Sequence, residues 1–370
     1  MKNIITICLL LTCAHAVEFE VEGTEFEVGG QIVADTAWID DDGYSYHDSE
    51  IRRARLYLRG DINDDLSYEV EYSFTGNNDW KDVYLKYTGF SNWVVYAGNV
   101  KESFGMEQLT SSKYNTFMER ALADFYWSRN MGISAQGYHK SDDNVVTYSL
   151  GGYGKSLDDM INNEKDRYGI VGRATYAKVT SKEEILHFGI ATSYTSYDSE
   201  NIKLSTNAGS ELYDGSFIKT KVKNVDHSTR VGVECAVVSG PFSFQSEYIL
   251  VSLSQKETSY NFNGWYGQLS YFLTGESRTY KAKKAGFSRI KVKKPIDKDG
   301  FGAVEVAFRI TQTDLEDKDE TGGEARDLTL GVNWYLKSNL RLMADYTYAD
   351  MLKDPSKDAK IFQIRAQYDF

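Results

Sequence analysis

The sequence predicts an all-β fold, a transmembrane antiparallel β-barrel, and three observations carry that reading. Apolar and polar residues alternate with period two along nearly the whole chain. After the first sixteen residues there is no apolar run approaching the roughly 18 residues that a spanning helix needs, whereas a barrel strand needs only ~10, every second one apolar. The composition agrees: 27 Tyr, 18 Phe, 6 Trp and 30 Gly sit beside a mean hydropathy of −0.47, an aromatic-rich chain that is polar on average.

Read in order, the chain opens on a secretory leader over residues 1–16, with Lys2, an apolar run from Ile4 to Leu11, and Ala14-His15-Ala16 before a cleavage point near Val17. Leu11-Thr12-Cys13 resembles a lipoprotein signal only loosely, because Thr12 is large for the position before a lipidated cysteine. Cys8 and Cys13 leave with the leader, so Cys235 is the sole mature cysteine and no internal disulfide framework is open to the protein. Pro241, Pro295 and Pro355 lie in short turn-like contexts and no low-complexity linker interrupts the rest, which predicts one domain over residues 17–370.

Within that domain, Leu66, Tyr68, Val70, Tyr72 and Phe74 point one way while Ser67, Glu69, Glu71 and Ser73 point the other. The same alternation sets Val304, Val306, Phe308 and Ile310 against Glu305, Arg309 and Thr311, and Leu340, Leu342, Ala344, Tyr346 and Tyr348 against Arg341, Asp345 and Thr347. Turn residues such as Gly76 to Asp79, Asp142 to Asn144 and Lys337 to Asn339 separate such runs. A soluble sandwich would show the same pattern, so the solvent is decided by other features. Aromatics recur at strand ends on the apolar faces, as interfacial girdles require, and the polar faces carry ionised groups, as a wet lumen permits. The last strand sends Phe362, Ile364, Ala366, Tyr368 and Phe370 outward and Gln363, Arg365, Gln367 and Asp369 inward, and its terminal Phe looks like the assembly signal of bacterial outer-membrane proteins. Closure also removes sheet edges that lipid would not tolerate.

Residues 49–64, SEIRRARLYLRGDIND, read as a strand of unusual charge, with Arg52, Arg53, Arg55 and Arg59 in a chain of net charge −12. Leu56 and Leu58 are apolar neighbours at spacing two, so Arg53, Arg55, Tyr57 and Arg59 share the opposite face, the lumen of a barrel. Guanidinium groups at intervals of ~7 Å would form a track for anions, which arginine grips bidentately. The alternative is an ion-pair ladder in which Glu69 and Glu71 neutralise the row.

Residues 109–138 break the alternation and read as a loop with a short helix from Asn115 or Thr116, with Glu119 at a capping-box position. Such a loop either folds inward and narrows a pore or packs on itself outside. Residues 281–300 are strongly basic and read as a solvated loop, a patch for lipopolysaccharide or nucleic acid, or the lining of a pore mouth. The acidic stretch 314–327 reads as a loop without EF-hand spacing, so no metal is assigned. His47, His139, His187 and His227 lie in no catalytic constellation, and Gly151 to Ser156 lacks the first glycine of a phosphate-binding loop, which argues against an enzyme.

The stretches EIRRARLYLRGDINDDLSYEVEYSF, DVYLKYTGF, GNVKESFGMEQLTSS, FMERAL, GWYGQLSYFLTGESRTY and GFGAVEVAFRI, in that order from about residue 50 to 310, together resemble the phosphate-selective porins O and P of the bacterial outer membrane. The resemblance implies a barrel of 16 strands that assembles as a homotrimer, with an inward-folded constriction loop and no cofactor. It implies passage of inorganic anions, phosphate or polyphosphate, with outer-membrane lipid and lipopolysaccharide as surroundings and no nucleic-acid partner. By the same resemblance Arg52 and Arg53 belong to the arginine track, Ser111, Ser112 and Arg120 face the anion from the constriction loop, and Asp82 helps to place the basic cluster. Arg55, Arg59, Lys101 and Lys113 complete the expected lining. Gln108 stands where phosphate-specific members carry lysine, which leaves a general diffusion porin as the alternative function.

Overall fold

The computed structural model describes residues 17–21, 24–76, 79–354 and 357–370. The leader assigned to residues 1–16 lies outside the described residues, as do Asn77 and Asn78 of the first turn and Pro355. A short strand, Val17–Val21, pairs with the start of the first barrel strand. Sixteen antiparallel strands then follow. The first eight are β1 Thr24–Asp41, β2 Tyr44–Asn63, β3 Leu66–Ser73, β4 Trp80–Phe90, β5 Trp93–Lys101, β6 Arg129–Ser141, β7 Asn144–Tyr153 and β8 Arg167–Ser181. The second eight are β9 Glu184–Thr206, β10 Ile218–Ser239, β11 Phe242–Ser254, β12 Ser259–Phe272, β13 Ala303–Asp317, β14 Glu320–Lys337, β15 Leu340–Met351 and β16 Asp358–Asp369. Each pairs with its successor, and β16 closes on β1 from Ala359 opposite Asp41 to Asp369 opposite Gln31. Closure gives every strand two partners, so no edge faces lipid.

Alternation sets the two faces. On β16 Phe362, Ile364 and Ala366 are exposed on the outside while Gln363, Arg365 and Gln367 are buried inside. Trp38, Phe90, Trp93, Tyr168 and Tyr271 are exposed large aromatics at or near strand ends, as interfacial girdles require. The wall is uneven in height: β9 and β10 have 23 and 22 residues, whereas β3 and β5 have 8 and 9.

The tall wall closes part of its own lumen. At the end opposite the chain termini, inward positions switch from polar to apolar, and Leu204, Val222, Val251, Leu253, Phe262 and Leu315 are buried in one cluster. The Thr220 hydroxyl of β10 donates to Glu320 of β14, a strand that is not its neighbour in the sheet. Residues 314–327, expected as an acidic loop, are instead the paired ends of β13 and β14 around a two-residue turn. Between β9 and β10, the loop 207–217 crosses the mouth and buries Ala208, Leu212 and Tyr213 against Ala37, Ile39, Ala349, Ala359 and Ile361.

Two connections fill much of the remaining interior. Residues 102–128 fold inward with one short helix, α1 Met106–Leu109, and 3-10 turns at Ser112–Tyr114 and Ala123–Phe125. The helix expected from Asn115 or Thr116 does not form, and the strand β6 begins at Arg129, inside the span expected to be irregular. The backbone there bonds to the wall instead of to itself. Asp345 accepts from Met118 N–H at 3.0 Å, Asn333 donates to Thr116 O at 2.8 Å, and Arg341 donates to Asn115 O at 2.8 Å. At the start of the loop, Glu247 accepts both Met106 N–H at 3.0 Å and Glu107 N–H at 2.7 Å, meeting the free donors of α1. Gly105 precedes that helix at φ 75°, where an added Cβ would lie 2.4 Å from the Tyr126 ring and 2.8 Å from Glu247 Oε2, so glycine alone suits the position. The second connection, residues 273–302, holds the basic run and enters from the end that bears the chain termini. Its hairpin, Thr279–Lys281 with Gly286–Ser288, docks through Arg173 to Ala285 O at 2.9 Å and Phe287 N–H to Thr110 Oγ1 at 3.3 Å.

Candidate anion pathway

A cavity of about 680 Å³ stays open against the low wall, between β2 to β6 and the inward loop. Two β-bulges shape its lining. Val33 lies opposite Arg53 and Ala34 opposite Ile51, so Arg52 is an extra residue on β2. Below it Arg53, Arg55 and Arg59 keep their inward parity, and above it Ile51 is exposed on the outside. The bulge thus brings Arg52 and Arg53 to the lumen side by side. On β4 the pairs Val70 with Val83 and Tyr72 with Trp80 leave one extra residue, and Lys81 and Asp82 both line the cavity.

The ten residues expected from the sequence, Arg52, Arg53, Arg55, Arg59, Asp82, Lys101, Ser111, Ser112, Lys113 and Arg120, all line this one cavity. Arg59 grips Glu27 at 2.7 Å and Tyr57 O–H donates to the same carboxylate at 2.9 Å. The Arg59 and Lys113 cations stand 5.1 and 5.2 Å from the centre of the Tyr57 ring, which holds both by cation–π attraction. Arg55 is 4.0 Å from Glu71, and Arg129 bridges Glu71 at 3.6 Å and Asp82 at 2.6 Å. Lys101 donates from Nζ to the backbone oxygen of Gln108 at 2.6 Å, while the Gln108 amide turns to Trp127 O at 3.2 Å. Arg120 donates to Glu107 O and Thr110 O at 3.1 and 3.0 Å, tying two parts of the loop together.

The carboxylates answer the ion-pair alternative in part. Glu119 meets Arg52 at 3.1 Å, Arg53 at 3.5 Å and Arg365 as well. Burial pushes its carboxyl upward, but Arg52, Arg53 and Arg365 outweigh burial and hold it well below the usual carboxylate range. Burial pushes the Lys113 ammonium below its ordinary value, with Asp369 and Glu71 opposing. Pairing is nevertheless incomplete. Seven arginines and four lysines line the cavity against five carboxylates, with Glu27, Glu50, Asp79 and Asp369 pairing Arg59, Arg52, Lys81 and Arg289 from outside the lining, and Arg53 Nη1 and Arg55 Nε are buried with no hydrogen-bond partner among the described residues.

Several lining residues escaped detection in the sequence. Lys81, Arg129 and Glu211 of the loop 207–217 line the cavity without a motif of their own in the sequence, and Glu119, whose spacing suggests a helix cap, lines it as well. Lys284 and Arg289 of the basic run line the cavity from the terminal end, while the other basic residues of that run do not. Charge adjacent to an inward parity was the available signal for Lys81, next to Asp82; nothing local marks Glu211, which arrives from across the mouth.

The family model for phosphate-selective porin O and P matches residues 26–370. The chain belongs to this family. The porin is 29% identical to Porin O of Pseudomonas aeruginosa over 393 residues, covering 93% of this chain and 88% of that protein. Among solved structures it resembles OmpT of Vibrio cholerae, at TM-score 0.59 and 14% identity over 96% of this chain and 100% of that one. It also resembles an anion-selective porin from Comamonas acidovorans, at TM-score 0.55 and 13% identity over 94% and 100%. At such identities these two likenesses concern the fold alone. Family and fold together make the protein an outer-membrane porin, a channel of the bacterial outer membrane.

Proposed function

We propose that this porin is a passive, anion-preferring channel for phosphate or polyphosphate. The observation that carries the reading is the surplus of fixed positive charge around one cavity: eleven lining cations face five lining carboxylates, and Glu27, Glu50, Asp79 and Asp369 pair with four of those cations from behind, in a chain of net charge −12. Low-dielectric walls focus such a field into the water-filled space, so anions concentrate there and cations are repelled. Arg52, Arg53, Arg55 and Arg59 supply successive charged positions along the lining, which an oxyanion can follow through charge-assisted hydrogen bonds. Ser111 and Ser112 replace part of the hydration shell, and Lys101, Lys113 and Arg120 hold the same region positive. Asp82 places Arg129. Lys101 and Lys113 lie on either side of Gln108 along the chain and offset the missing cation there. Membership of the phosphate-selective family supports the phosphate reading, and the trimer form of the OmpT neighbour supports a homotrimer in a membrane of lipid and lipopolysaccharide.

A second reading is favoured by Glu119, which takes three arginines at once: a general diffusion porin with a transverse field across the constriction. Single-channel conductance of refolded protein in planar bilayers separates the two. The anion channel gives an anion-directed reversal potential in a salt gradient and block by low phosphate. Anion preference without block leaves a general filter, and cation preference overturns the reading.

A further inference from the structure

We propose that Glu211 is a tethered anion at the outer end of the arginine row, with which an incoming inorganic oxyanion must exchange. This rests on the reading of the cavity as an anion path. Arg52 is shared: Nε meets Glu119 at 3.1 Å and Nη2 meets Glu211 at 2.9 Å, with Glu50 3.8 Å away. The two carboxylates are held differently. Glu119 is enclosed by three arginines, and its backbone oxygen accepts from Arg309 at 2.8 Å. Glu211 has its one ion pair with Arg52 among the described residues, and its side chain is 42% exposed.

The loop that carries Glu211 is pinned on both sides of it. Gln363 donates to Gly209 O at 3.0 Å, and Leu212 and Tyr213 are buried against the opposite wall. Exchange therefore needs the side chain to swing, not the loop to open. A single half-exposed ion pair is weak, so a diffusing anion competes with it at modest concentration, whereas the same anion cannot dislodge Glu119. Burial and the neighbouring Glu119 charge push the Glu211 carboxyl upward, with Arg52 and Arg53 opposing, which also marks it as the looser of the two. The consequence is a lower apparent affinity at the mouth than the bare arginine row would have, and faster release from it.

The test compares wild type, Glu211→Gln, Glu211→Asp and Glu257→Gln by single-channel conductance as a function of inorganic phosphate. Gel migration with and without heating establishes that each variant is folded. Glu211→Gln is expected to lower the half-saturating phosphate concentration by about threefold, in the range of an exposed ion pair. Glu211→Asp retains charge but is one methylene short of Arg52, and is expected to move in the same direction. Glu257 is an exposed loop carboxylate at the same end, and its neutralisation is expected to leave the value unchanged. Equal shifts in Glu211→Gln and Glu257→Gln, or wild-type behaviour in Glu211→Asp, overturn the inference. If wild type is anion-selective and Glu211→Gln does not move, this inference alone fails; a cation-selective wild type removes the anion path and the inference with it.

Discussion

The two sides of the lumen are built from the same alternating strands and end in opposite states. Along β2 to β6 the inward residues are charged and surround a cavity, while along β9 to β14 the inward residues near the loop-bearing end are apolar and buried. The inward loop is divided to match. Its Phe104, Leu122, Phe125 and Tyr126 join the apolar cluster of the tall wall, and its Ser111, Ser112, Lys113 and Arg120 face the low wall. Apolar burial displaces water from one side, which leaves the charged side as the wet one. A barrel of this width gains a narrow, one-sided path by packing half of itself.

The strongest way to break the contrast is to cut the loop from its polar anchors. Arg365 pairs with Asp35 at 2.6 Å and also contacts Glu119 and Met118 O. Arg365→Ala leaves two buried carboxylates without that partner and should cost about 3–5 kcal/mol, seen as a lower heat-unfolding temperature together with a larger, noisier conductance. Loosening the apolar half is next: Leu122→Ala should cost about 2–5 kcal/mol and raise conductance with less loss of selectivity, because the charged residues remain. On the wet side, replacing both Arg53 and Arg55 by Gln should lower the anion-to-cation permeability ratio with a smaller fall in unfolding temperature than Arg365→Ala, because Glu119 keeps Arg52 and Arg365; an unaltered ratio would remove them from the path. Ser111→Ala with Ser112→Ala should weaken phosphate block by roughly 2- to 10-fold at unchanged selectivity, as expected for hydroxyl hydrogen bonds of ~0.5–1.5 kcal/mol.

The smallest effect concerns pH. A carboxyl held below its ordinary value stabilises the folded state fully above that value, and the stabilisation is lost as pH falls through the folded one. Glu119 is such a group. The stability difference between wild type and Glu119→Gln should therefore be constant above about pH 5 and decline only in stronger acid. A decline beginning near neutrality would contradict the three-arginine clamp.

Much of this was legible beforehand, and the exceptions share a cause. Parity assigned the outward and inward residues of β3, β13, β15 and β16 as the structure has them. Parity on β2 assigned Arg53, Arg55 and Arg59, but Arg52 came only through family resemblance, because a bulge shifts the pattern by one residue without altering the composition. The inward loop was expected, yet its helix was placed wrongly: Glu119 has the spacing of a cap, but Arg52, Arg53 and Arg365 bind its side chain and the wall binds the backbone around it. The basic run was legible as charge and not as position, since its entry from the terminal end depends on where β12 stops.

The sequence by itself determined the barrel class, the faces of most strands, the irregular segment before β6 and the arginine row, because each rests on a local pattern with a period of two or a break in it. Only the tertiary structure decided which inward residues are wet, that Glu119 and Glu211 meet the same arginine, and that two bulges set adjacent charges side by side. Those outcomes depend on distances across a closed sheet, between residues as far apart as Arg52 and Glu211, and no short-range pattern encodes them.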